Sequence, residues 1–282
     1  MKISFSHFLV LGLIISIWSC NSAEKVSVNA DGKDLPYRKV LKHNDPELKF
    51  QYAEKYFKNK DYYKAIPLYE ELIPIWVLTE KGRDCYYRYA ESHYYMKDYY
   101  LAAYYFKNFH KNNITDPRAE KALFLSALCK VKNSPQYSLD QEETLDGIDQ
   151  LQLFLDRYPD TELNDTCNLL IDQLYDKLDK KKYEIAYQYY HTEYYKAAID
   201  AFEICLSEFP ESDYKEEILY YHLKSCFLLA ENSIEKKKLS RYEETIKSYG
   251  NFVSAFPESR YLKQANQFKI VSDKFIEKNK IK

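Results

Sequence analysis

Residues 195–212 read Tyr-Lys-Ala-Ala-Ile-Asp-Ala-Phe-Glu-Ile-Cys-Leu-Ser-Glu-Phe-Pro-Glu-Ser. Tyr195, Ala198, Ile199, Phe202, Cys205, Leu206 and Phe209 follow an i, i+3, i+4, i+7 spacing, which sets them along one face of an α-helix. Pro210 cannot continue that helix, and Ser212 can cap the next one. The stretch predicts a helix that buries a stripe, stops at proline and leads into a partner.

The same stripe occurs four more times. It is Tyr62, Ala65, Ile66, Tyr69, Leu72, Ile73 and Trp76, then Tyr99, Ala102, Ala103, Phe106 and Phe109. It returns as Thr144, Gly147, Ile148, Leu151, Phe154, Leu155 and Tyr158, and as Tyr242, Thr245, Ile246, Tyr249, Phe252, Val253 and Phe256. Successive copies begin 37 to 51 residues apart. A small residue three positions into each copy lets another helix approach. The last three copies end in one phrase: Tyr158-Pro159-Asp160-Thr161, Phe209-Pro210-Glu211-Ser212 and Phe256-Pro257-Glu258-Ser259. Partner helices are predicted upstream, over 46–59, 83–96, 117–132, 165–191 and 215–231. Asp45-Pro46 and Asp116-Pro117 supply an N-cap followed by proline at the first helical position. Loops are expected over 133–143 and 232–241, and the fourth repeat has an extended first helix.

Glycine sharpens the fold class. The chain of 282 residues contains 5, one of them Gly12 near the start. Tight hairpins and phosphate-cradling loops need glycine where φ is positive. An all-α fold is expected, a solenoid of about five helix pairs.

The N-terminus is of another kind. Lys2 precedes an apolar run from Phe8 to Trp18, too short to span a bilayer and long enough for a signal-peptide core. The run ends at Ser19-Cys20. Ile17-Trp18-Ser19-Cys20 is similar to a bacterial lipobox, which implies that Cys20 is lipidated and becomes the mature N-terminus, although Trp18 departs from the small or modestly apolar residue usual there. A plain secretory signal with an incidental cysteine is the other reading. The polar stretch that follows reads as a tether. The expected organisation is a signal peptide over 1–19, a lipidated N-terminus and tether over 20–44, and repeats over 45–81, 82–116, 117–163, 164–213 and 214–260. A capping helix over 261–282 completes it.

Little in the chain points to catalysis. Basic and acidic side chains number 41 and 43, which leaves no surplus for nucleic acid. Cys85, Cys129, Cys167, Cys205 and Cys226 are scattered and form neither a zinc ligand set nor an evident disulfide framework. The 6 histidines show no metal-ligand spacing, and His93 sits where a repeat expects a core aromatic. No nucleophile elbow, Walker or dinucleotide-binding phrase is present. No cofactor or metal site and no enzymatic activity are expected.

Paired helices at this period resemble tetratricopeptide repeats. Ala53 and Tyr56, and then Ala65 and Tyr69, match the small and aromatic positions of that pattern in the first repeat. Ala186, Tyr189, Ala198, Phe202 and Pro210 match it in the fourth. The periods are longer than the usual 34 residues. Lipobox, tether, five repeats and the aromatic-proline-acid-hydroxyl phrase together resemble the BamD family of outer-membrane assembly lipoproteins of Gram-negative bacteria. The resemblance covers the whole chain. It implies a non-catalytic lipoprotein on the periplasmic face of the outer membrane. Such a protein docks on POTRA domains of the BamA barrel insertase and recruits unfolded outer-membrane protein precursors. Another repeat lipoprotein, coordinating envelope division or peptidoglycan work, is the alternative.

In such repeats the first helix of each pair builds a concave wall. Register on Ala53 and Ala90 places Phe50, Glu54 and Phe57 on that wall in the first repeat, and Tyr87, Glu91, Tyr94 and Tyr95 in the second. These seven residues form the candidate client groove, unless they pack against a neighbouring helix or loop. The lipobox generates the first prediction. Cys20→Ala should abolish acylation and move the protein from the membrane pellet to the periplasmic fraction, read by fatty-acid labelling and fractionation. A mutant that still pellets, beside a wild type that takes up no label, would refute lipidation.

Overall fold

The computed structural model describes residues 34–280; the signal segment, Cys20 and the tether up to residue 33 lie outside the described residues. Among the described residues there are twelve helices and no strand. They are α1 (Tyr37–Leu41), α2 (Pro46–Lys58), α3 (Tyr62–Leu72), α4 (Glu80–Tyr95), α5 (Tyr99–Asn112) and α6 (Ala119–Asn133). There follow α7 (Glu142–Arg157), α8 (Asn164–His191), α9 (Tyr195–Glu208), α10 (Lys215–Glu231), α11 (Glu235–Ala255) and α12 (Leu262–Lys280). The fold is an all-α, tetratricopeptide-like solenoid of consecutive helix pairs. It forms two compact units, one ending at Cys85 and the other beginning at Tyr86, so that α4 runs through the boundary.

In the first unit α2 and α3 pack together. Asp45 caps α2 by accepting a hydrogen bond from the Glu47 amide at 2.9 Å, and Pro46 takes the first helical position. Tyr52, Ala53, Ala65, Leu68, Tyr69 and Leu72 form the apolar contact. The end of the expected tether belongs to this unit. The Leu35 amide donates to the Tyr52 hydroxyl at 2.7 Å, Val40 of α1 is fully buried, and the Tyr37 ring meets Tyr56 edge-on. The expected tether therefore ends in a five-residue helix, whose Tyr37, Val40 and Leu41 stand at helical spacing.

In the second unit each helix from α5 onward packs on the next. The stripe residues form its core: Ala102, Phe106 and Phe109 with Ala90 and Ala122; Ile148, Leu151 and Phe154 with Ile171 and Leu174; Ala198, Phe202 and Cys205 with Ala186 and Ile218. Two expectations change here. Residues 232–241 are not a loop, because α11 starts at Glu235 and runs for 21 residues. Nothing in Glu235-Lys236-Lys237-Lys238 opposes a helix, and Leu239 packs beside Ala230, Tyr242 and Ile276. Asp116 does not begin a helix at Pro117. Its carboxylate accepts from the Arg118 amide at 2.9 Å in an Asx turn, and α6 starts at Ala119.

Helix ends reveal a device that the scarcity of glycine had hidden. Lys60, Lys97 and Glu193 all have φ near +64°. Each sits between the two helices of a pair and closes the same two hydrogen bonds. Asp61 N donates to Tyr56 O and Lys60 N to Phe57 O; Asp98 N to His93 O and Lys97 N to Tyr94 O; Tyr194 N to Tyr189 O and Glu193 N to Tyr190 O. This is the Schellman arrangement, built on side chains that bear the left-handed penalty. Lys60→Gly, Lys97→Gly and Glu193→Gly should each stabilise the fold by about 0.5–1 kcal/mol, measured by denaturant unfolding. Gln51→Gly, inside α2, should instead cost about 1 kcal/mol.

Candidate functional site

The seven residues expected to line a groove meet different fates. Tyr87 is buried, with its ring edge-on to Phe106 and Phe109 at centroid distances of 5.7 and 5.0 Å and the Arg118 guanidinium 5.1 Å from its centroid. Burial pushes its phenol far up, and the nearby Glu91 adds to the shift. Tyr87 is a core residue and not part of an open wall. Register alone placed it on the wall, but the phenylalanines of α5 reach across and cover it. Glu91 is also buried and pairs with Arg88 at 2.8 Å. Tyr94 is half-buried against Tyr99 and Phe106, while Tyr95, beside it, is half exposed.

In the first unit the three candidates are half-buried. Phe50 meets Trp76 edge-on at 5.7 Å. Glu54 accepts a 2.6 Å hydrogen bond from the Tyr69 hydroxyl, and Phe57 lies between Tyr62 and Tyr69. Packing therefore accounts for much of the aromatic content. Around the α4–α5 turn, Tyr95 and Met96 at the end of α4 are exposed together with Tyr100 and Tyr104 on α5. The Tyr100 hydroxyl donates to Glu143 Oε1 at 3.0 Å, which holds that phenol's ring while leaving its face in solvent.

The repeated phrase is a structural joint. At all three copies the residue before proline leaves the helix with φ near −130° and ψ near 70°, as steric conflict with the proline ring dictates. The hydroxyl then turns the chain. Thr161 Oγ1 accepts from Leu163 N at 3.2 Å, Ser212 Oγ from Tyr214 N at 3.0 Å, and Ser259 Oγ from Tyr261 N at 3.0 Å. The same hydroxyls donate backwards, Thr161 to Glu120 of α6 and Ser212 to Asp179 of α8 at 2.6 Å. Tyr214 stacks on Tyr183 at 4.7 Å and Tyr261 on Tyr220 at 4.0 Å, so the ring contact recurs with the turn. Sequence reading assigned the hydroxyls to capping and did not find their acid partners, which are a whole helix pair away.

Asp179 is the costly member. Its carboxyl is buried, and Oδ1 has no hydrogen-bond partner. Burial raises its pKa, Ser212 opposes the rise, and the charges of Asp176 and Asp213 add to it. The folded state therefore holds the proton more tightly than the unfolded state. Stability falls as pH climbs from about 4 through the raised value. Asp179→Asn should gain stability over wild type at neutral pH, with the gain vanishing towards pH 4. Ser212→Ala at pH 7 should cost about 1–3 kcal/mol by stripping the carboxylate of its donor. Thermal melts across pH check both.

The five cysteines from Cys85 onward are buried free thiols whose pKa values desolvation pushes up to about 11 or 12. They are inert core filler. His93 is buried between Tyr89 and Tyr105, with Nδ1 3.2 Å from Asp98. Among the described residues no group of three or more His, Cys, Asp or Glu is placed to hold a metal ion, and no helix is long and apolar enough to cross a membrane.

No match was found among curated proteins. A family model described as YfiO, outer membrane lipoprotein, matches residues 42–240, well over half of the chain and spanning α2 to the first turns of α11. That family is the BamD type of the resemblance drawn from the repeats. The chain belongs to the YfiO family of outer-membrane lipoproteins.

Proposed function

We propose that this protein is a non-catalytic, lipid-anchored scaffold of the outer-membrane β-barrel assembly machinery. The anchor is Cys20. The observation that carries the reading is the family match over the helix pairs, from α2 into α11. In this reading the protein faces the periplasm, docks on POTRA domains of the BamA insertase and helps recruit unfolded barrel precursors. The physical basis is supportive. Stacked helix pairs present extended surfaces suited to a partner domain or a peptide. Exposed aromatics supply contact area at low entropic cost, and Tyr95, Tyr100 and Tyr104 are such residues at the α4–α5 turn.

The client surface proposed here is narrower than the seven-residue groove. Tyr87 and Glu91 are withdrawn into the core, so the contact falls to Tyr94 and Tyr95, with Tyr100 of α5 added. Barrel precursors typically end in a strand with a terminal aromatic, which can stack on such rings while its backbone stays extended.

Two measurements test the proposal. In-cell crosslinking from positions beyond Lys182 should trap a large β-barrel protein bearing POTRA domains. Recovery of peptidoglycan enzymes or division proteins alone would favour the envelope-coordinator reading. Replacing Tyr95 and Tyr100 together by Ala should weaken binding of a C-terminal barrel peptide by about 2 kcal/mol, with the helical circular dichroism unchanged. An unchanged affinity in the folded variant would remove these tyrosines from the client surface. Tyr87→Ala serves as the contrast: it should destabilise the fold by about 3–5 kcal/mol, as for other large aromatics cut from a core.

A further inference from the structure

The connection between α3 and α4 is Ile73-Pro74-Ile75-Trp76-Val77-Leu78-Thr79, six apolar residues in succession. It occupies the place where the last three repeats carry the aromatic-proline-acid-hydroxyl joint. Here the acid and the hydroxyl after proline are replaced by Ile75 and Trp76. The side chains of Ile75, Val77 and Leu78 are 55%, 62% and 91% exposed. No packing within the fold requires them to be apolar.

The loop is built to hold them there. Ile75 N and Trp76 N both donate to Leu72 O, at 3.1 and 3.2 Å. Thr79 donates twice to Trp76 O, from its amide and its hydroxyl, each at 2.9 Å, and Thr79 Oγ1 in turn accepts from Gly82 N at 3.1 Å. A Cβ on Gly82 would lie 1.8 Å from Trp76 O, so the first turn of α4 needs glycine to let this carbonyl in. Trp76 packs edge-on to Phe50, and the Lys81 ammonium lies 5.3 Å from the Trp76 centroid and 5.7 Å from that of Phe50. An apolar tip backed by a tryptophan and a lysine is the arrangement of a segment that enters the interfacial region of a bilayer.

The position of the loop in the chain fits that environment. It lies in the same unit as Asp34 and Leu35, where the described chain begins, and both it and that segment rest on α2. Asp34 pairs with Lys55, and Lys81 pairs with Glu47. The fourteen residue steps from Cys20 to Asp34 can span at most about 50 Å. A lipid at Cys20 therefore keeps this unit at the membrane surface, where a tethered contact acts at an effective concentration on the order of millimolar. The geometry points to the α3–α4 loop as a second, non-covalent membrane contact, with Val77 and Leu78 inserted into lipid and Trp76 at the headgroup level. The inference rests on attachment at Cys20 and goes beyond the scaffold reading, since it assigns a lipid ligand to a surface that the scaffold reading leaves unused.

The chain supplies its own probe. Its 2 tryptophans are Trp18 and Trp76, so a protein comprising residues 20–282 carries Trp76 alone and keeps every described residue. The remaining cysteines are buried with raised pKa values, which leaves Cys20 as the thiol that a maleimide-lipid couples at neutral pH. This protein should be joined through Cys20 to vesicles of phosphatidylethanolamine and phosphatidylglycerol containing brominated acyl chains. Trp76 emission should be quenched and blue-shifted, and Leu78→Asp, with unchanged circular dichroism, should abolish both effects. Absence of quenching in the tethered wild type overturns the inference and turns the loop towards a protein surface. Quenching that survives Leu78→Asp overturns it too, because Trp76 would then meet lipid without the loop tip. The chemical tether supplies attachment and no insertase is present. A failure here therefore leaves the scaffold reading standing, and a failure of the in-cell crosslink leaves the loop contact standing.

Discussion

Everything in the stack depends on how closely two helices can approach at five small residues. Ala65, Ala102, Gly147, Ala198 and Thr245 are each buried at the crossing of a second helix with its neighbours. At Gly147 the constraint is visible as a distance: an added Cβ would lie 3.3 Å from Leu174 Cδ1. Thr245 is the exception in size, and it spends its hydroxyl on the Arg241 carbonyl of its own helix at 2.9 Å, which removes the polar group from the interface. With the backbones close, the large residues one or two turns on, Phe106, Leu151, Phe202 and Phe252, are fully enclosed. Enlarging any of these five positions forces the pair apart at a cost of about 1–3 kcal/mol and exposes the aromatics beyond it. The small residues are weak contacts themselves; they permit the strong ones.

Pairing two helices does not fix where the next pair sits, and the proline joint does that. Three interactions of different kind converge at the joints of Thr161 and Ser212: the steric exclusion of helix before proline, the hydroxyl that takes the next amide, and the same hydroxyl donating to an acid on the previous first helix. None is strong in isolation. Together they set direction and register at once, which a purely apolar contact, being non-directional, does not. The burial of the Asp179 carboxyl shows that the joint tolerates a destabilising group. Ser212 offsets part of that cost, and the geometry it enforces is shared with Thr161 and Ser259.

The stripes, the prolines and the long α8 were legible because each is local, written within one or two helical turns of itself. What escaped reading depends on residues distant in the chain. Tyr87 looked like a wall residue by register, and only the reach of Phe106 and Phe109 buries it. Residues 232–241 looked like a loop because the partners of Leu239, Ala230 and Ile276, lie outside the segment. Val40 lay in the stretch read as a tether, although Tyr37, Val40 and Leu41 carry the i, i+3, i+4 spacing of the short helix they form. The positive-φ turns escaped for another reason. Glycine count is a sound guide to where φ is cheap, but Lys60, Lys97 and Glu193 show the chain accepting the strain where two Schellman hydrogen bonds and the packed helices on either side enforce it. Of the candidate site, the half that lay in aromatic identity was legible and the half that lay in burial was not.

Tyrosine explains why aromatic identity and burial came apart. The chain has 30 tyrosines and 15 phenylalanines, and the largest enclosed rings of the second unit are phenylalanines while its tyrosines crowd the half-buried layer. A phenol can turn its ring inward and leave its hydroxyl at the surface, so a tyrosine at a given repeat position is compatible with core, rim or open face. Which it becomes is decided by the neighbour across the crossing: Tyr183 and Tyr220 are claimed by Tyr214 and Tyr261 at the joints, while Tyr194 and Tyr100, at the other end of their second helices, have no such ring laid over them and stay exposed. At the proline joints that end of the second helix is thus consumed by the stack, while the turn end stays exposed at Tyr100 and Tyr194. The first repeat breaks this division, because its joint end carries Ile75, Val77 and Leu78 in place of the polar phrase. An apolar surface where the last three repeats carry a polar joint is a departure that stacking does not need, and it is the observation behind the proposed lipid contact.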